Sequence, residues 1–186
     1  MATSADHVRL ANLLGAVAIG ITDATVGDVA THADLDSTAS AALVTMLDLA
    51  PSSSVQTLSQ LIGLTHSGAV RLVNRLAAAG LVARTPGPDA RTVTVAPTRR
   101  GRRIARQIRD ARYMAIAGAL SGLTEHQCEQ LSTVCEALIA NLTSARLAAR
   151  TAGELPPGGA LCRMCDPVAC GRPHGHCPAA LTAASG

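Results

Sequence analysis

The sequence predicts a mostly α-helical chain with one small β-hairpin near its middle. Three observations carry this. Alanine, leucine and arginine, all helix-favouring, dominate the composition. Apolar residues recur at helical spacing along most of the chain, as in Leu10, Leu13, Leu14, Val17 and Ile21. Strand period is confined to one place, where Val93 and Val95 alternate with Thr92 and Thr94 behind a Pro-Gly-Pro turn signal.

At 186 residues the chain suits one domain, or one domain and a tail. With one tyrosine and no phenylalanine or tryptophan, its core must be aliphatic. All sixteen basic side chains are arginine, which fits a GC-rich coding sequence better than any special use of guanidinium. Between Arg71 and Arg112 eleven arginines face only Asp89 and Asp110, a local balance of +9 in a chain whose net charge is +3. Such a block points to a polyanionic partner, or else to a solvated helix face. The apolar run Leu13 to Ile21 is too short to span a bilayer, and Asp6 and the missing cleavage pattern argue against a signal peptide. The expectation is a cytoplasmic protein with no membrane partner.

The elements follow in order. A first helix is predicted over about 7–30. A second runs from Asp36 to Leu49, with Asp36 or Ser37 as cap and Pro51 closing it. Thr57 to Gln60 reads as a capping box opening a short helix that ends near Gly63. Thr65 caps a longer helix reaching Ala79, and Gly80 stops it. The hairpin follows, with Arg84 and Arg91 flanking its tip. Thr98 starts a helix to about 119, and Thr124 to Gln127 is a second capping box opening a helix to about 150. Residues 153–161 read as a Pro/Gly linker, 162–178 as a Cys/His-rich tail and 179–186 as a disordered end.

A short helix, a turn, a second helix and a basic hairpin make a unit suited to reading DNA. On a helical wheel Ala69, Leu72, Val73 and Leu76 face a core. Ser67, Val70, Arg71 and Asn74 fall opposite, with Arg75 at the edge and His66 near the start. Ser67 and Asn74 can hydrogen-bond bases or phosphates, Arg71 can grip guanine, and Val70 can touch a thymine methyl. Arg84 and Arg91 extend this surface, since a narrow minor groove attracts an inserted arginine, and Asp89 orients Arg91 or the loop. Ile104, Ile108, Met114 and Leu120, with Leu131, Val134, Leu138, Ile139 and Leu142, give more apolar surface than so small a reader covers. A homodimer is the economical use of it.

Residues 54–101 resemble the winged helix of the multiple-antibiotic-resistance regulator (MarR) family. The family's "R-L-V-x-R-L-x-x-x-G-L-V-x-R" run matches Arg71 through Arg84, its wing Asp-x-Arg matches Asp89 to Arg91, and its "T-x-x-G" helix start matches Thr98 to Gly101. The likeness covers about 6–150 in architecture and 54–101 in specific motifs. It implies a winged helix-turn-helix domain, here within residues 1–152, embedded in a helical dimerisation scaffold. It also implies a homodimeric transcription regulator on a pseudo-palindromic operator in double-stranded DNA. The wing arginine, Arg91, would enter the minor groove, and a small-molecule inducer of unspecified kind would sit between reader and scaffold. The family commonly has threonine just before the recognition-helix arginine, where this chain has Val70.

Cys162, Cys165, Cys170 and Cys177 are spaced C-x2-C-x4-C-x6-C, with His174 and His176 in the last gap. So short a segment has too few apolar residues to explain its thiols by packing. A zinc site is expected, with Cys162, Cys165 and Cys170 as ligands and Cys177, His174 or His176 as the fourth. An iron–sulfur cluster and a redox thiol pair are the alternatives. The tail is expected to be a separable module. Cys128 and Cys135, seven apart on one helical face, are expected to be core thiols. Two other functions compete: a Cys/His zinc-centre enzyme, and an architectural DNA-binding protein without regulation.

Overall fold

The structure, a computed structural model, describes residues 4–33, 35–87, 93–154 and 158–185, with the backbone alone described for 4, 5 and 26–33. Helix α1 spans Ser4–Ala33. Helix α2, Ser37–Val44, has Asp36 as N-cap and runs on into a single wide π turn over Thr45–Leu49. Strand β1 is the two-residue Ser53–Ser54, followed by α3 at Val55–Ile62 and α4 at His66–Ala78. The hairpin strands are β2, Val82–Pro86, and β3, Val93–Pro97. Helices α5, Arg99–Leu120, and α6, Glu125–Thr151, follow, and α7 spans Pro178–Ser185.

Local chemistry sets most of these boundaries. Thr65 Oγ1 accepts from the Gly68 amide, Thr98 Oγ1 from Gly101, and Thr124 with Gln127 forms a complete capping box. The α3 cap differs from the sequence expectation. Ser54, not Thr57, is the N-cap, accepting from the Thr57 amide at 3.0 Å, and Thr57 lies inside the helix. Ser54 holds that position because β1 pairs with β3, Ser53 opposite Val95, which fixes the chain just ahead of α3. The resulting antiparallel sheet has the order β1-β3-β2.

The core sits within α2 to the first half of α5. Leu43, Met46, Leu58, Val73, Leu76, Val95 and Ile108 are fully buried there, without an aromatic ring among them. The joint between α4 and α5 is especially close. Thr98 donates from its amide to the Leu81 carbonyl at 3.0 Å and from Oγ1 to the Gly80 carbonyl at 2.8 Å. Gly101 lies against that same Leu81 carbonyl, in space a Cβ would fill.

The long helices contrast with this core. α6 has no buried residue along its 27 positions, and α1 exposes Val8, Leu10, Leu13, Leu14, Val17 and Ile19. Cys128 and Cys135 are accordingly exposed, not core thiols as the sequence reading expects. The stretch Asp6–Thr25 is long and apolar enough to cross a membrane by length and composition, although its central apolar run is short. It packs along α5.

The tail is not a detached module. The residues at its start dock on the reader, Met164 packs against the core, and α7, where the sequence reading expects disorder, packs on α6.

Candidate nucleic-acid interface and thiol cluster

Helix α4 buries Ala69, Leu72, Val73 and Leu76 and turns its other face outward. His66, Ser67, Arg71 and Asn74 are exposed on that face, with Val70 half-buried among them. Several of the expected contact residues have partners within the chain. Arg75 reaches Asp36 at 2.5 Å, tying the reading helix to the cap of α2, so its guanidinium is engaged in holding α4 in place. Burial raises the Asp36 carboxyl, but the Ala39 amide and the Arg75 guanidinium outweigh it and hold the group below its ordinary value. His66 Nδ1 lies 3.0 Å from Gln56 Oε1, linking α4 to α3.

From the root of the wing, the Arg84 guanidinium donates to the Asn74 carboxamide oxygen. The hairpin and the recognition helix therefore present one continuous polar surface. Thr85 and Thr94 bridge the two hairpin strands at 2.9 Å. Arg91, the expected minor-groove residue, and Asp89, expected to orient it or the loop, lie outside the described residues.

Behind this face, a cavity of about 480 Å³ opens between α1, α2, α5 and the tail. Its walls include Thr22, Ser40, Arg112, Arg163 and Met164. The Ser40 hydroxyl is buried there with no hydrogen-bond partner among the described residues. Burial depresses the Arg163 pKa, and its neighbours Arg146 and Arg112 depress it further.

The four tail cysteines converge. Cys162, Cys165, Cys170 and Cys177 line one small cavity with Leu49, Pro167 and Arg172. Cys162 neighbours Cys165, and Cys170 neighbours Cys177, closely enough for the members of each pair to perturb each other's titration. The adjacent Cys162 thiol brings Cys165 down to about 6, with Arg112 adding to the effect against burial, and the same proximity drives Cys162 up. Burial raises Cys170 to about 11. Cys177 is buried, whereas His174 and His176 are exposed and do not line the cavity. Among the described residues, no three His, Cys, Asp or Glu side chains stand as a ready-made metal-ligand set.

The lead-in to this cluster grips the reader. The Ala160 amide donates to the Leu61 carbonyl at 2.8 Å, and the Arg146 guanidinium donates to the Gly159 carbonyl. Gly159 lies against the Leu61–Gly63 backbone, the turn between α3 and α4. Thr45 Oγ1 donates to the Arg163 carbonyl at 2.9 Å, and Arg109 bridges Asp48 at 2.9 Å and Asp166 at 3.3 Å. Sequence reasoning missed this docking, because glycines at 158 and 159 signal a flexible linker equally well.

The MarR family's sequence profile matches residues 33–91. No curated protein matches the chain in sequence. Among solved structures, a MarR family protein from Bacillus stearothermophilus is 22% identical with a TM-score of 0.68, covering 77% of this chain and 99% of that one. Streptococcus pneumoniae FabT, solved in complex with DNA, is 17% identical with a TM-score of 0.65, covering 75% of this chain and 99% of its own. CouR from Rhodococcus jostii RHA1, solved with p-coumaroyl-CoA, is 24% identical with a TM-score of 0.56, covering 69% of this chain and 90% of its own. These likenesses establish a shared fold, that of MarR-family transcriptional regulators. Over residues 33–91 the chain is similar to the MarR family, and it shares the winged helix-turn-helix fold of these solved structures.

Proposed function

We propose that the chain is a transcription regulator that binds a pseudo-palindromic operator as a homodimer, with α4 in the major groove and the wing beside it. The observation that carries this reading is the split character of α4. One face is sealed into the core, while Ser67, Arg71 and Asn74 stand exposed beside Arg84 in the most arginine-rich part of the chain. Arg71 reads a guanine edge, Ser67 and Asn74 contact bases or phosphates, and Val70 contacts a thymine methyl. His66 and Arg75 set the helix in place and add charge near the phosphates, and Arg91 enters the minor groove. FabT, which shares the fold, was solved with DNA.

The exposed apolar positions of α1 and α6 support the dimer. A folded chain rarely leaves a 27-residue helix without one buried residue unless a second copy covers it. The cavity holding Ser40, Arg112 and Arg163 suits an anionic small molecule, which would act as effector by wedging between reader and scaffold. A catalytic thiol–metal centre is disfavoured, because it needs an open position beside a free acid or base, whereas neither histidine lines the thiol cavity and the neighbouring Asp166 is paired with Arg109.

Selection of binding sites from a random duplex library tests the reading. A two-fold symmetric operator should emerge, and Arg91→Ala should weaken binding to it by about 1–3 kcal/mol and flatten its salt dependence. Binding without sequence preference would instead favour an architectural role.

A further inference from the structure

We propose that Cys162, Cys165, Cys170 and Cys177 hold one zinc ion as a tetrathiolate, and that this ion fixes the strap that clamps the turn between α3 and α4. Three features point to a single ion. Four thiols from three successive turns line one cavity, although only the C-x2-C pair is close in sequence. The space between them is about 10 Å³, the scale of one water or one ion, and too small for a multi-iron cluster. All four groups are sulfur, and a soft four-sulfur set selects zinc or iron–sulfur chemistry, of which only the mononuclear form fits the space.

Without metal, the four thiols face one another across that cavity. Loading forms four zinc–sulfur bonds and releases to solvent the protons the thiols still carry. The centre then carries two net negative charges. Arg112, acting on Cys165, and Arg172, acting on Cys170, offset them.

The ion's effect on the reader follows from the lead-in, and this half of the proposal rests on the DNA-reading assignment above. The C-terminal carbonyls of a helix lack intrahelical partners. Here the Ala160 amide bonds to one of them, that of Leu61 at the end of α3. Gly159 at φ +71° and Gly63 at φ +73° meet backbone to backbone. A Cβ on Gly159 would lie 2.5 Å from the Leu61 oxygen and from the Gly63 nitrogen, so no other residue fits the clamp undisturbed. Zinc orders residues 162–177, their lead-in stays docked, and the angle between α3 and α4 is held. Release of the ion loosens the clamp and lowers operator affinity.

The test uses the full chain, purified and kept reduced without oxygen. Elemental analysis should find one zinc per chain, and cobalt substitution should give the absorption of a tetrahedral tetrathiolate. Cys170→Ser and Cys177→Ser should lose both signals, while His174→Ala with His176→Ala keeps them. Should the serine variants fold poorly, thiol titration of the wild type with and without chelator gives the same answer, four thiols becoming reactive on zinc removal. Iron with sulfide, no bound metal, or metal retained without Cys170 and Cys177 would each overturn the site.

For the coupling, zinc removal should weaken operator binding about fivefold or more. Gly159→Ala should keep the zinc but abolish that dependence. Hydrogen exchange at the Gly63 and Leu64 amides reads the clamp without DNA, and faster exchange on zinc removal is expected. Unchanged exchange would overturn the clamp whether or not an operator is found.

Discussion

Arg84, at the root of the wing, donates a hydrogen bond to Asn74 on the recognition helix. The two residues belong to different elements, yet each limits where the other points. Their contributions to DNA binding should therefore be non-additive. Arg84→Ala and Asn74→Ala should each weaken operator binding, and the double variant should differ from the sum of the two by at least about 0.5 kcal/mol. Fluorescence anisotropy on one labelled operator measures all four corners of the cycle. Strict additivity would mean that the pair does not act as a unit on DNA.

Asp36 accepts from the Ala39 amide at 2.8 Å and from Arg75 at 2.5 Å, serving as both helix cap and ion-pair partner. Asp36→Ala should cost about 1 kcal/mol in urea unfolding. Its carboxyl is held below the ordinary 3.8, so the stabilisation is complete above that value and disappears as pH falls through the lower folded value. Wild type and variant should thus converge in acid. Arg75→Ala should lose stability as well as affinity, whereas Arg71→Ala, at an exposed side chain with no ion-pair partner among the described residues, should alter base preference with unchanged stability.

Leu142 is 51% exposed on α6. A glutamate there, Leu142→Glu, should cost the isolated chain little and the proposed dimer much. Sedimentation at micromolar concentration should show a dimer for wild type and a monomer for the variant. Operator affinity should fall with it, since two half-sites need two readers. A monomeric wild type would remove the symmetric-operator reading.

Gly101→Ala should destabilise the reader by about 1–3 kcal/mol, because the new methyl group meets the Leu81 carbonyl at the start of α5. Gly118→Ala, with open space around it on the same helix, is the control and should be neutral or slightly stabilising. Thermal unfolding followed by circular dichroism distinguishes them.

The parts legible in the sequence were those fixed by neighbours in the chain. Thr65, Thr98 and Thr124 announce their helices because a cap is satisfied within three residues. The wheel of α4 sorts Leu72 from Arg71 for the same local reason. Ser54 was obscured by Thr57, a good cap by type, since the choice rests on β1 meeting β3 some forty positions later. Arg75 reads as a DNA contact from the wheel alone, and its partner Asp36 lies 39 residues away. The tail docking rests on two glycine backbones touching, and an absent side chain leaves no pattern to read. Convergence of the thiols was foreseeable from spacing, but the choice of Cys177 over the histidines depended on which way the last loop turns.

The welded joint at Thr98 and Gly101 makes α5 a lever. Its near end is bolted to the C-terminal end of the recognition helix through the Gly80 and Leu81 carbonyls. Its far end, with Met114 and Leu120 exposed, belongs to the helical scaffold. At 1.5 Å per residue, 22 residues span about 33 Å, so a tilt of about 5° displaces one end by about 3 Å. That is close to the roughly 3.4 Å between successive bases along a strand. In the proposed dimer, a small change in how the two scaffolds meet would thereby be enough to move the reading helix by about one step along the groove.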